Sequence, residues 1–217
     1  MSSRLSAVPE TAGPQPSRRR EVAVDYGFVL VVLDTRSGRV RAMRDHQRIA
    51  WLQDGVPVRA DPPPLATTTV ENLARLPHDP DASVGMRSAA RIALGRAYLA
   101  GRIAFCESLR LIRGTHRAAF GFAARDEAAQ LVATVRSVGQ LAPFRVRAMD
   151  VAVATLLLLR ARRRTACFRL GTTADPVRTH AWLELDGLPV QEPDWVSRYT
   201  PFPSARGAEL GSGRAIS

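Results

Sequence analysis

Thr179-His-Ala-Trp-Leu-Glu184 is the stretch whose reading decides the fold. Read as a strand, it puts His180, Trp182 and Glu184 on one pleated face and Ala181, Leu183 and Leu185 on the other. Asp186-Gly187 follows, a dipeptide suited to a tight hairpin turn, and Leu188–Gln191 reads as the returning strand. Cys167–Leu170 supplies a third strand on the upstream side. Glu192 lies just past the returning strand, where an antiparallel neighbour can bring its carboxylate to the His180 imidazole, fix the tautomer and stabilise the cation. Asp194 is close enough in sequence to take that part instead. On spacing alone, a strand histidine and a surface glutamate is the plainer reading.

Upstream of the strands the period changes. Residues 148–164 read as a helix, and its segment Val151–Leu159, VAVATLLLL, is apolar on every side, as a helix buried at the centre of a domain must be. Nine apolar residues fall well short of the roughly 20 that span a bilayer. The start of such a helix favours a thiolate, because its free N–H groups and macrodipole stabilise negative charge. Ala148 occupies that place. Further upstream, Met86–Ile112 repeats apolar residues at helical spacing and Asp126–Val138 reads as another helix. Helices first and sheet second predict an α+β domain over residues 85–200, a central helix packed on an antiparallel sheet, with 201–217 as a flexible tail.

Residues 21–84 read as a separate small module. Val22–Asp34 is rich in β-branched and aromatic residues, Arg36-Ser-Gly-Arg39 supplies a turn, and Val40–Met43 returns, which predicts a hairpin. A short helix capped by Asp45 and ending near Gly55, then a helical stretch with Val70, Leu73 and Leu76, complete a winged-helix-like pattern. His78–Val84 is the expected linker, and residues 1–20, with Pro, Ser and an arginine triplet, read as a flexible arm.

The 217 residues carry a formal charge of +11, supplied by arginine alone, since the chain has no lysine. That surplus suits an acidic partner, whether nucleic acid, an anionic surface or an acidic peptide. The two cysteines, Cys106 and Cys167, lie 61 residues apart with no His or Cys at metal-ligand spacing, so neither a metal site nor a disulfide framework is expected, and a reducing cytoplasm fits best. No apolar segment at the start resembles a secretory signal.

As a set, these pieces resemble the B proteins of lasso peptide biosynthesis, a family of transglutaminase-like leader peptidases. The family pattern of a nucleophile at the start of an apolar helix, an arginine-rich helix end, a strand closing on glycine, then His-Ala-Trp, a glycine turn and an acid is matched by Ala148-Met149, Leu156–Leu159, Arg160–Arg164, Phe168–Gly171, His180-Ala-Trp-Leu-Glu184, Asp186-Gly187 and Glu192. The resemblance covers about residues 86–195. Residues 22–55 are similar to the leader-recognition element of peptide-modifying systems, in which an edge strand takes up an extended peptide. Val31, Val40, Arg41 and Met43 are the peptide-binding residues this implies. The resemblance implies a papain-like or transglutaminase-like cysteine peptidase that cuts a leader from its core peptide, acting with a precursor peptide and an ATP-dependent ring-closing (macrolactam-forming) enzyme, without nucleic acid, membrane or cofactor.

Two departures stand out. Alanine holds the nucleophile position, so the chain as written is expected to be inactive; a Cys→Ala change that traps a bound state, or natural loss of the thiol, would each produce this. The acid is Glu192, where the family has aspartate. The alternatives are a leader-binding scaffold for other maturation enzymes and, from the charge and the winged-helix-like pattern, a DNA-binding regulator. No helix combines Arg with Asn or Gln at base-reading spacing.

Overall fold

The structure, a computed structural model, describes residues 21–43, 47–49, 58–60, 82–174 and 176–203. Val22–Asp34 is not one strand. It splits into β1 (Glu21–Asp25) and β2 (Leu30–Asp34), an antiparallel pair in the register Val24 to Val31. Gly27 makes the reversal by adopting φ +84°, and the Asp25 carboxylate accepts its N–H at 2.9 Å. β3 (Val40–Met43) then pairs antiparallel with β2, across a turn in which Asp34 accepts the Arg36 N–H at 2.8 Å and the Ser37 hydroxyl at 2.6 Å. β4 (Val58–Ala60) lies parallel to β1, giving the order β3-β2-β1-β4. Residues 47–49 are helical, and Arg48 Nε and Nη2 grip both Asp25 oxygens at 2.7 Å. The rest of the expected N-terminal helices, most of the linker and the arm lie outside the described residues.

The helical half begins with α1 (Val84–Ile103), where the Ser83 hydroxyl caps the Met86 N–H at 3.2 Å. The periodicity predicts one continuous helical region to Ile112, but the backbone is extended at Ala104 (φ −164°, ψ 148°) and restarts as α2 (Phe105–Arg117). The break lets Phe105 leave the line of α1 and pack against the N-terminal sheet. After β5 (Gly121–Phe122) come α3 (Arg125–Gln140) and α4 (Ala148–Ala161). α4 starts where the sequence places it and stops three residues short of Arg164, where Arg163 turns left-handed at φ +57° and the chain enters β6 (Arg164–Thr165), parallel to β5.

β7 (Cys167–Ala174), β8 (Val177–Leu185) and β9 (Leu188–Pro189) are the three expected antiparallel strands, with Asp186 and Gly187 both at positive φ in the turn. A 3-10 helix (Asp194–Arg198) leads to β10 (Thr200–Pro201), which adds to β7 and gives the order β10-β7-β8-β9. The domain therefore runs past residue 200: Pro201 is ladder-paired and Phe202 is buried, so residues 201–203 belong to the fold and not to a flexible tail.

α4 is the centre of the larger core. Val153, Leu156 and Leu159 are fully buried with Leu94 of α1, Leu131 and Val135 of α3, and Leu183 and Leu185 of β8. Each such side chain contributes about 1.5–3 kcal/mol of burial. Helices packed on an antiparallel sheet confirm the α+β class, and the inward alternation of Ala181, Leu183 and Leu185 leaves His180 and Trp182 for the opposite face.

Candidate active site

Ala148 of α4, His180 of β8 and Glu192 line one cavity of about 660 Å³. Ala148 is the first residue of its helix, half-buried, with the N–H groups of the first turn around it. The helix start is held by Asp150, which is 1% exposed and accepts the Arg147 backbone N–H at 2.9 Å together with its guanidinium Nε at 3.0 Å and Nη2 at 2.9 Å. That contact holds the Arg147 guanidinium above its ordinary pKa, the Asp150 hydrogen bond outweighing burial.

His180 sits directly across the ladder from Gly171. A Cβ at Gly171 would lie 2.7 Å from the Trp182 ring and 2.9 Å from the Thr200 carbonyl, so only glycine lets the indole cross the strand there. Trp182, Trp195 and Tyr199 surround the imidazole, their ring centres 6.1, 5.0 and 5.5 Å from it. Nε2 of His180 is 3.0 Å from Oε2 of Glu192. A carboxylate can only accept, so Nε2 carries the proton and Nδ1 is the ring nitrogen left to serve a reacting group.

Glu192 is itself held. Its Oε1 accepts Arg136 Nη2 at 2.6 Å, and Arg136 Nη1 donates to the Gln191 carbonyl. The three side chains are 6%, 5% and 9% exposed for His180, Glu192 and Arg136. Burial pulls the Arg136 guanidinium below its ordinary pKa while Glu192 opposes the pull. Gln191 adopts φ +54°, an uncommon conformation for a side chain of that size, and the Arg136 fork clasps it on both sides of the Gln191–Glu192 peptide. A buried row Arg136–Glu192–His180 thus orients the imidazole.

Asp194, the other candidate acid, is exposed at the start of the 3-10 helix, and Glu192 occupies the position beside the imidazole. Neither cysteine lines the cavity: Cys106 lies on α2, and Cys167 on β7 pairs with Glu184. Burial pushes the Cys167 thiol up, the opposite of what a nucleophile needs.

In the N-terminal sheet, β3 is an edge strand, as the peptide-docking expectation requires, and no strand among the described residues pairs with its outer side. Arg41 is exposed and paired with Glu21, Val40 is half-buried, and Met43 packs on Ala23, Leu30 and Val32. Val31 is different. It is fully buried on the inner strand, with its backbone paired to Val24 on one side and Ala42 on the other, so it serves the core and has no surface to offer a peptide.

Arg136 is the functional-site residue that pattern reading passes over. It falls on the apolar stripe of α3, four residues beyond Val132, and an arginine on a buried stripe demands a buried acid.

Among the described residues no group of three or more His, Cys, Asp or Glu side chains could hold a metal, and no helix is long and apolar enough to cross a membrane. No curated protein and no solved structure matches the chain. The model of the Transglutaminase-like superfamily matches residues 90–204, which take in α4, the sheet β10-β7-β8-β9, His180 and Glu192. That is more than half of the 217 residues, and it is the part of the chain that builds the cavity, so the chain belongs to the transglutaminase-like superfamily.

Proposed function

We propose that this chain works in the maturation of a lasso peptide, holding a precursor peptide by its leader and presenting the leader–core junction at the cavity beside position 148. The observation that carries the reading is the buried Arg136–Glu192–His180 row lining the same cavity as the start of α4. That is the support a cysteine peptidase needs for its base, on a fold compatible with cysteine-peptidase chemistry.

With a thiol at position 148, the helix start and His180 would favour thiolate and imidazolium. Sulfur would attack the peptide carbonyl carbon, and the imidazolium would give its proton to the departing amine. Water, deprotonated by His180, would then hydrolyse the thioester and return the thiol. Ala148 has no group that can attack, so the chain as it stands binds and does not cut. Leader binding on the outer edge of β3 would raise the concentration of the junction at the cavity.

The test is mass spectrometry of the precursor incubated with the Ala148→Cys variant, the ring-closing enzyme and ATP. The expected result is cleavage by Ala148→Cys, none by the unaltered chain, and loss on adding His180→Ala. A variant that binds leader and stays inert would leave the second reading, a leader-binding scaffold that passes precursor to other enzymes.

A further inference from the structure

Residues 118–124, AAFGFAA, join α2 to α3 without one polar side chain. A connection that runs over the surface is ordinarily polar, and this one does run over the surface. Ala118, Phe120, Phe122 and Ala124 are exposed, every second residue of an extended stretch, while Ala123 is buried. Phe120, 81% exposed, and Phe122, 42% exposed, therefore put two phenyl rings into water on one side of the chain.

The neighbouring strand supplies the opposite chemistry. Phe120 donates its N–H to the Arg163 carbonyl and Ala123 donates to the Thr165 carbonyl, both at 2.9 Å, so the pairing of β5 with β6 lays the loop alongside Arg163 and Arg164. The Arg163 guanidinium carbon stands 5.2 Å from the centre of the Phe120 ring, and Arg164 Nη1 donates to the Phe122 carbonyl at 3.4 Å. Arg117 precedes the loop, and Arg162, also exposed, pairs at 3.4 Å with Glu127 of α3. Asp126 and Glu127 are the acids of that first turn of α3, so Arg117, Arg162, Arg163 and Arg164 leave the rim net positive. A cation in the last turn of a helix complements its dipole, which accounts for Arg117 in α2. It accounts neither for the arginines past the end of α4 nor for two phenyl rings in water.

We propose that the 118–124 loop docks on an anionic phospholipid surface, with Phe120 and Phe122 entering the acyl boundary and Arg117, Arg163 and Arg164 at the level of the phosphates. Such a surface is apolar beneath an anionic layer, which is the order of this face, and arginine stems are long enough to hold the charge at the phosphates while the rings go deeper. A second copy of the chain would set arginines against arginines. A nucleic-acid strand could stack on the rings, but one side of Phe120 already carries Arg163, and Ala118 and Ala124 would stay in water. The loop sits at the opposite end of α4 from position 148, about 20 Å along the helix axis. Membrane contact there, which the resemblance does not imply, is independent of the peptidase reading of the cavity.

The experiment sediments the full chain with phosphatidylcholine vesicles that contain or lack about one-third phosphatidylglycerol. Binding to the anionic vesicles at low salt should be about tenfold tighter than to phosphatidylcholine alone, and high salt should erase the difference. Arg163→Gln and Arg164→Gln should each weaken it about fivefold, and Phe120→Ser about tenfold. Leu141→Ser, at an apolar residue outside the loop that is 78% exposed, should leave it unchanged. Phe120→Trp reports depth: its emission should shift to the blue and be quenched by lipids brominated on their acyl chains, beyond any change in the unaltered protein. Equal binding to the two vesicles, equal losses from Phe120→Ser and Leu141→Ser, or a Phe120→Trp signal that the brominated lipids leave untouched overturns the proposal. Binding of an oligothymidylate that Phe120→Ser and Arg163→Gln weaken, without binding to anionic vesicles, overturns it in favour of nucleic acid.

Discussion

Glu192 uses both of its oxygens, one for His180 and one for Arg136, and this double engagement sets what its loss would do. Glu192→Gln keeps the shape and removes the charge. Arg136 is then a buried cation without a counterion, and breaking a buried pair in this way costs about 3–5 kcal/mol. Urea unfolding should show that loss, whereas Asp194→Ala, on an exposed side chain, should stay within about 0.5 kcal/mol of the unaltered protein. Equal losses from the two changes would remove Glu192 from its place beside the imidazole. Ala148, His180 and Glu192 were legible in the sequence because each sits at a landmark: a helix start, an alternating strand, the end of the next strand. Arg136 was not, because a helix period marks where apolar residues recur and says nothing about a single charge set among them. Gln191 was hidden for another reason, since its left-handed backbone is imposed by the Arg136 clasp and not by its own preference.

Among the elements, α4 was the easiest to read, since a run that is apolar on all sides has one stable place, the middle of a core. The splits were harder. Gly27 turns a run of strand formers into two strands, and Ala104 interrupts a helical period with no Gly or Pro at the break; both follow from where the partners lie. α2 also carries a titration that the sequence does not announce. His116 lies in its last turn, where the helix dipole would favour a cation. Burial wins and pushes its pKa below the ordinary value, with Nδ1 2.9 Å from the Thr165 hydroxyl of β6. The sign follows from linkage. The folded state holds His116 neutral to lower pH than the unfolded chain does, so stability is intact above about pH 6.5 and is lost as pH falls from there toward the lowered folded value. The slope this one group can add is at most about 1.4 kcal/mol per pH unit. His116→Gln should flatten the acid side of a stability–pH curve measured by urea unfolding. An unchanged slope would mean that His116 is already as easily protonated in the fold as outside it.

At the scale of the molecule, the sequence suggests a module joined to a domain by a linker, and the packing shows how much the two share. The inner face of the N-terminal sheet, Val22, Val24, Val31 and Leu33, is covered by Phe202, Phe105 and Leu170, which come from the end of the chain, from α2 and from β7. Tyr26 donates its hydroxyl to the Thr172 carbonyl of β7 at 2.5 Å, and Gly38 lies so close to Phe105 that a Cβ there would be 2.7 Å from the ring. A four-stranded sheet deprived of that cover would expose a contiguous apolar face to water. Residues 1–81 made alone should therefore fail to give a cooperative unfolding transition. In the intact protein, Phe202→Ala should cost about 3–5 kcal/mol, the usual loss for a buried phenylalanine. Hydrogen exchange locates where that loss is felt. If sheet and domain are one cooperative unit, amides of β1 and β2 and amides of α4 and β8 lose protection together. Faster exchange confined to β1–β3, with α4 and β8 unchanged, would mean that the sheet opens as a unit of its own. In that case the proposed docking of a peptide on β3 would tether it to the cavity without holding it at a fixed distance, and the effective concentration of that peptide at the cavity would depend on chain length in place of geometry.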